Sequence, residues 1–316
     1  MTENPNATLS DFATGESDNE GKTEVDHPSS RSDTRVDDSG RYTTPEYEPT
    51  GEKLPTVHTP PERCLSFSVS APFAHFRKIE TSSTRLTYGL PPRTTINGMI
   101  AAMLGLETNS YYELFDLAHS AISIEVETPL REISMPIKHR NTDPDEMKSI
   151  SSGGLTLEHE KHPSKIDKGK VHQRVAHSML RDVTYRINVW LTSEPHYEEL
   201  RQLLEAGESY YTPSLGLSEC LASIEYHGEF SPTPADNDGP VEVDSAVPSS
   251  AGSIQVHTDT QLTTEQTPAE MEQVNETFVT RRTTEFTAYQ YREDAEPLPV
   301  QTDHAATVDG KTVIFK

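Results

Sequence analysis

The residues from Tyr88 to Leu106, YGLPPRTTINGMIAAMLGL, set one guanidinium at the mouth of a helix. Pro91 and Pro92 fix the approach, Thr94 or Thr95 supplies an oxygen to cap the first turn, and Gly98 with its alanine neighbours lets the helix lie close to a sheet. Free N–H groups and the positive end of the helix dipole point back at Arg93, a combination that holds anions. The same residues would also make a capped packing helix carrying a surface arginine. On either reading Arg93→Ala spares the fold; on the first it releases the anion.

Just upstream, APFAHFRKIETSSTRLTY interleaves Arg77, Lys78 and Arg85 with Phe73, His75, Phe76 and Tyr88. Cations among flat rings suit single-stranded nucleic acid, because phosphates pair with the charges while unstacked bases lie on the rings. Phe73 and Phe76 fit a core as well, which leaves His75 and Tyr88 as the better stacking candidates. Further along, Lys138, His139 and Arg140 are followed by Lys161, Lys165, Lys168, Lys170, His172, Arg174, Arg181 and Arg186. Between positions 161 and 186 seven basic residues meet two acidic ones, in a chain with 27 basic and 51 acidic side chains. That reversal points to a polyanion or an acidic protein face, with a solvated loop as the other reading. The segment YYTPSLGLSECLASIEY, from Tyr210, is stiffened by Pro213 and Gly216 and reads as a packing corner or a ligand contact. Scattered histidines, His75, His172 and His177 among them, could serve a metal-independent ribonuclease, but HExxH, GxSxG, Walker and GxGxxG patterns are all missing.

The elements that must carry these residues follow from periodicity. CLSFSV, SAISIEVE, DVTYRINVWL and CLASIEYHG alternate like strands, while TINGMIAAMLGL and SEPHYEELRQLLEAG read as helices. The second helix has Ser193 as N-cap, Pro195 in its first turn and Gly207 past its end. The order β-α-β-β-α-β predicts an α+β, ferredoxin-like fold, a four-stranded antiparallel sheet with two helices on one face. A long insertion at 128–182 separates the second and third strands. Residues 1–62 read as a disordered acidic leader, 63–230 as the domain, 231–276 as an acidic linker, and 277–316 as a β segment completing the domain. Asp309 and Gly310 mark a hairpin in that last part.

A formal charge of −24 and a hydrophobic fraction of 33% fit either a cationic partner or a cytoplasm of very high salt. Spread along the whole chain, the acidity favours salt adaptation. Cys64 and Cys220 make neither a disulfide framework nor a zinc site, so no metal and no cofactor is expected. No signal peptide or apolar span is present, so a soluble cytoplasmic protein with no membrane partner is expected.

Taken together, FSVSAPFAHFRK, YGLPPRTTINGMIAAMLGL, LRDVTYRINVWL and YYTPSLGLSECLASIEYHG resemble CRISPR-associated protein family five, the RAMP-type subunit of the type I Cascade interference complex. The resemblance covers about residues 64–230 and implies an RRM-like RAMP fold with an inserted thumb hairpin. It implies, as partners, the 5-prime handle of the crRNA and the backbone and large subunits of Cascade, with target DNA met only through the complex. By this resemblance Arg93, Thr94, Thr95 and Asn97 face the handle, and the insertion from 128 to 182 holds the thumb. Some relatives cut precursor RNA themselves, and Tyr88, Lys138 and His139 are the possible counterparts of their Tyr-Lys-His set. The acidic composition resembles haloarchaeal proteins, where type I-B systems are common, which makes a non-catalytic subunit the main expectation. A ribonuclease maturing the same RNA and a protein-interaction module with no RNA role are the alternatives.

Overall fold

The computed structural model describes residues 58–80, 84–140, 172–235, 239–255, 261–275 and 280–316. Alternating small and apolar residues make β1 (Cys64–Ala74), which runs antiparallel between β6 (His172–Leu191) and β7 (Ser223–Phe230). On the far side of β6 lies β4 (Ser120–Val126), giving the neighbour order β7, β1, β6, β4. The sheet is nevertheless larger than four strands. β2 (Phe76–Glu80) and β3 (Thr84–Tyr88) fold into a hairpin at one side, and β5 (Glu132–Arg140) pairs with the first half of β6, making seven. The cause is β6 itself. It begins at His172 rather than at the expected Asp182, and its extra length gives β5 an edge to pair with.

The expected insertion at 128–182 is therefore divided. Its two ends are strands continuous with the sheet, and residues 141–171 lie outside the described residues.

Among the described residues, two helices complete this unit. α1 (Arg93–Met103) buries Ile96, Met99, Ile100 and Met103, and α2 (Glu194–Ala206) buries Tyr197, Leu200, Leu203 and Leu204, the three-and-four spacing of an inward-facing stripe. Both stripes join Phe67, Phe115, Ile124 and Tyr185 in one core. Gly207, at φ 64°, ends α2 in the left-handed conformation. The expected threonine cap on α1 does not form: Pro92 is the N-cap, Arg93 opens the helix, and Thr94 and Thr95 sit inside the first turn.

The described residues within 231–276 form strands rather than a linker. They contribute β8 (Thr233–Pro234), β9 (Val241–Val243), β10 (Val247–Pro248), β11 (Ser253–Ile254) and β12 (Thr263–Asn275). These pair with β13 (Thr280–Tyr291), β14 (Leu298–Gln301) and β15 (Ala305–Val308), the last of which turns through Asp309 and Gly310, both at positive φ, into β16 (Lys311–Ile314). Val243, Val247 and Ala251 close a second small core with Leu298, Val300, Ala305 and Ile314. Composition misleads here because non-local pairing satisfies the backbone and a few valines suffice to seal the contact.

Of the expected leader, residues 1–57 lie outside the described residues, but His58 is buried. Its Nδ1 donates to the Phe315 carbonyl at 3.0 Å and its Nε2 meets Ser250 Oγ at 2.8 Å. Cys64 and Cys220 are free and buried, and burial pushes the Cys64 thiol up to about 12. Among the described residues, no helix is long and apolar enough to cross a membrane.

Candidate nucleic-acid interface

Arg93 is not at the surface. Its side chain is fully buried, with one amino group donating to the main-chain oxygen of Lys316 and the other to Ser120 O at 2.9 Å and Ser120 Oγ at 2.6 Å. The helix mouth that looked like an anion site is thus filled from within, by carbonyls at the start of β4 and just past β16. Burial lowers the guanidinium pKa, partly offset by Tyr289, Glu270 and Asp116. Asn97, also buried, donates from Nδ2 to Phe115 O at 3.3 Å, so it too faces the core. Thr94 and Thr95 are half-buried beside them.

The aromatic residues His75, Phe76 and Tyr88 of the run before α1 are likewise buried, and Lys78 is paired. Lys78 Nζ pairs with Glu265 Oε1 at 2.9 Å and lies 5.2 Å from the centre of the Tyr88 ring, itself only 7% exposed. Glu265, on β12, also accepts from Gly89 N at 2.8 Å, Leu90 N at 3.3 Å and Tyr291 Oη at 2.9 Å. One carboxylate therefore clamps the turn that leads into α1. Gly89 must be glycine there, because a Cβ would stand 2.2 Å from the Tyr291 hydroxyl. His75 is buried, its Nδ1 donating to Ser178 O at 2.8 Å and its ring edge-on to His177, and burial lowers its pKa. Phe76 is buried while Phe73 is half-buried. Arg77 is exposed and Arg85 half-exposed, opposite His177 in the β3–β6 pairing.

The arms formed by β5 and β6 keep their charge outside. Along β5 exposure alternates, with Glu132, Ser134, Pro136 and Lys138 outward and Ile133, Met135 and Ile137 half-buried. The register sets Lys138 directly opposite Arg174, both exposed. Among the described residues neither meets a carboxylate. Two like charges across an antiparallel pair repel, so this rung is destabilising unless an anion bridges it. The next rungs are His139 opposite Gln173 and Arg140 opposite His172, whose side chains, like all of Lys168 and Lys170, lie outside the described residues. At the other end of the arms Arg181 is exposed and pairs with Asp182 at 2.9 Å. Arg186 is buried and structural, held by Ser66 Oγ at 2.9 Å and Asp309 at 2.6 Å.

The possible Tyr-Lys-His set is not brought together. Tyr88 pairs with Phe76, beside Ala74, which faces Leu180, whereas Lys138 faces Arg174. Six residues of β6 separate those rows, roughly 20 Å at strand rise. Tyr88 is buried, and its hydroxyl pKa is raised by that burial. Among the described residues no group of three or more His, Cys, Asp or Glu could hold a metal ion. Sequence reasoning missed Glu265, whose one signal was strand alternation in TTEQTPAEMEQ, and it missed Ser120, whose partner lies 27 positions away.

A family model described as CRISPR-associated protein (Cas_Cas5) matches residues 64–291. No curated protein matches the sequence. Among solved structures, a CRISPR protein from Archaeoglobus fulgidus aligns with 80% of this chain and 98% of its own, at 14% identity and a TM-score of 0.46. A chain of a CRISPR RNA-guided surveillance complex aligns with 75% of this chain and 91% of its own, at 14% identity and a TM-score of 0.41. The family match runs from the first strand of the sheet through the last tyrosines of β13, most of the chain, and the protein belongs to the CRISPR-associated Cas_Cas5 family.

Proposed function

We propose that the protein is a non-catalytic, crRNA-binding subunit of a type I CRISPR interference complex, in which it holds the 5-prime handle and contacts backbone and large subunits. The observation that carries the RNA contact is the Lys138–Arg174 rung, two exposed cations paired across the arms with no carboxylate beside them among the described residues. A ribose-phosphate backbone supplies the missing anion, and it threads along the arms where His139, Arg140 and His172 follow. The buried Arg93 and Asn97 take no part in this reading, and Lys78 and Tyr88 serve the fold. The separation of Tyr88 from Lys138 supports a holding role over a cutting one. Chain-wide acidity supports a salt-adapted cell and a type I-B system; in such salt, charge contacts weaken and retention rests on the assembled complex.

The test is co-expression of the full chain with its neighbouring CRISPR subunits and crRNA, comparing wild type with Lys138→Ala/Arg174→Ala. The expected outcome is an intact fold by circular dichroism, reduced crRNA per complex, and a salt dependence shallower by about one to two log units per log unit of salt. Unchanged crRNA occupancy in the double variant sinks the proposal, and site-specific cleavage of precursor RNA by the pure chain in the presence of chelator replaces it with the nuclease reading.

A further inference from the structure

Beside α1 lies a groove of about 660 Å3 that the function proposed above does not use. Its floor is Gly98 and Ala102, its walls are Tyr111 and Tyr211, and its rim carries Arg281 and Glu107. We propose that this groove is a second single-stranded RNA contact, which takes one unstacked base against the tyrosines and the adjoining phosphate on Arg281. The inference rests on the RNA-binding reading and assigns that reading a site distinct from the Lys138–Arg174 rung.

Three features favour a nucleotide. Tyr211 is 53% exposed, yet its backbone is anchored, with Tyr211 N donating to Ala102 O at 3.2 Å and Tyr210 N to Met103 O at 3.0 Å. An open ring on an anchored backbone offers stacking at a reduced ordering cost. Arg281 is aimed rather than loose: its Nε donates to Asn109 Oδ1 at 2.9 Å, the same oxygen that accepts from Tyr112 Oη at 2.7 Å. Asn109 adopts φ 72° to present that oxygen. Among the described residues the terminal amino groups of Arg281 have no partner, which leaves a planar fork for phosphate. The floor is kept low by small residues; at Gly98 even a Cβ would come within 3.2 Å of the Tyr111 hydroxyl. The volume suits a nucleotide, and Glu107 adds a hydrogen-bond acceptor to the lining.

The test uses the purified full chain, at a potassium chloride concentration where circular dichroism shows it folded. The probe is a fluorescein-labelled single-stranded RNA about ten nucleotides long, followed by anisotropy, and by photocrosslinking of a 4-thiouridine version with peptide mapping. Expected results are about tenfold weaker binding for Tyr211→Ala, near-wild-type binding for Tyr211→Phe, and several-fold weaker binding for Arg281→Ala. Ala102→Met, which fills the floor but keeps both rings and the cation, should weaken binding too, and a crosslink should map to the peptide containing Tyr211. If Tyr211→Ala, Arg281→Ala and Ala102→Met all bind like wild type while Lys138→Ala/Arg174→Ala does not, the RNA-binding reading stands and the groove proposal falls, leaving the groove to a protein partner. If the wild-type chain binds no oligonucleotide at any accessible concentration and gives no crosslink, the groove proposal falls, whereas the RNA-binding reading is decided by crRNA occupancy of the assembled complex.

Discussion

Replacing Arg93 with alanine should unfold the protein far more readily than a surface arginine would allow. The side chain is fully buried and satisfies two main-chain oxygens and one hydroxyl, joining the start of α1 to the start of β4 and to the strand end at Lys316. Each buried acceptor left without a donor costs about 1–3 kcal/mol. Because the acceptors share one donor group and can relax together, the sum is less than additive, and about 3–5 kcal/mol is expected for the truncation. For a domain of this size that corresponds to a fall in Tm of roughly 10 °C. The assay is thermal and urea unfolding followed by circular dichroism at one fixed salt concentration, with Ser120→Ala beside it as a milder cut of about 1 kcal/mol. A Tm for Arg93→Ala within about 2 °C of wild type, together with lost RNA, would refute the buried-clamp account and return Arg93 to the surface anion site read from sequence.

Glu265→Gln presents an amide nitrogen to a site that already faces Gly89 N, Leu90 N, Tyr291 Oη and Lys78 Nζ, and a loss of about 2–3 kcal/mol is expected in urea titration. Gly216→Ala should be severely destabilising, since φ is 90° and a Cβ would sit 2.0 Å from the His75 carbonyl oxygen; Gly207→Ala, at φ 64° in open space, should cost only about 1 kcal/mol. Equal effects at the two glycines in parallel melts would contradict this. Burial lowers the His58 pKa from 6.5 to about 4, so the unfolded chain takes up the proton first as pH falls. This contribution is complete above pH 6.5, is lost between 6.5 and 4, and is flat below. His58→Gln should flatten the stability-versus-pH curve in that window by at most about 3 kcal/mol, leaving the smaller slope from His75, also lowered by burial.

Several elements were legible because local patterning and tertiary demand agree. The α2 segment carries its stripe, its proline and its terminal glycine in the sequence, and Asp309-Gly310 can hardly be anything but a tight turn. The segment from 231 to 276 was not legible. β12 turns Glu265, Thr267 and Ala269 inward, so its buried face has no apolar signature, and what holds it is pairing with β13 and the Glu265 network. The doubled length of β6 was hidden for a related reason: its first half gains its partner, β5, across the whole insertion.

The sequence by itself determined four strands of the large sheet, the two helices α1 and α2, the local reversal of charge around the insertion, and the resemblance to the family, because each of these is written in neighbouring residues. Which charges remain available was decided only by tertiary structure. Arg93, Lys78 and Arg186 look no different in sequence from Lys138, Arg174 and Arg281, yet the first three are consumed by oxygens brought from 27, 187 and 123 positions away, and the last three are left facing outward. A guanidinium or ammonium group is a ligand site only if the fold leaves its charge unanswered, and that depends on which distant oxygens the packing brings within reach.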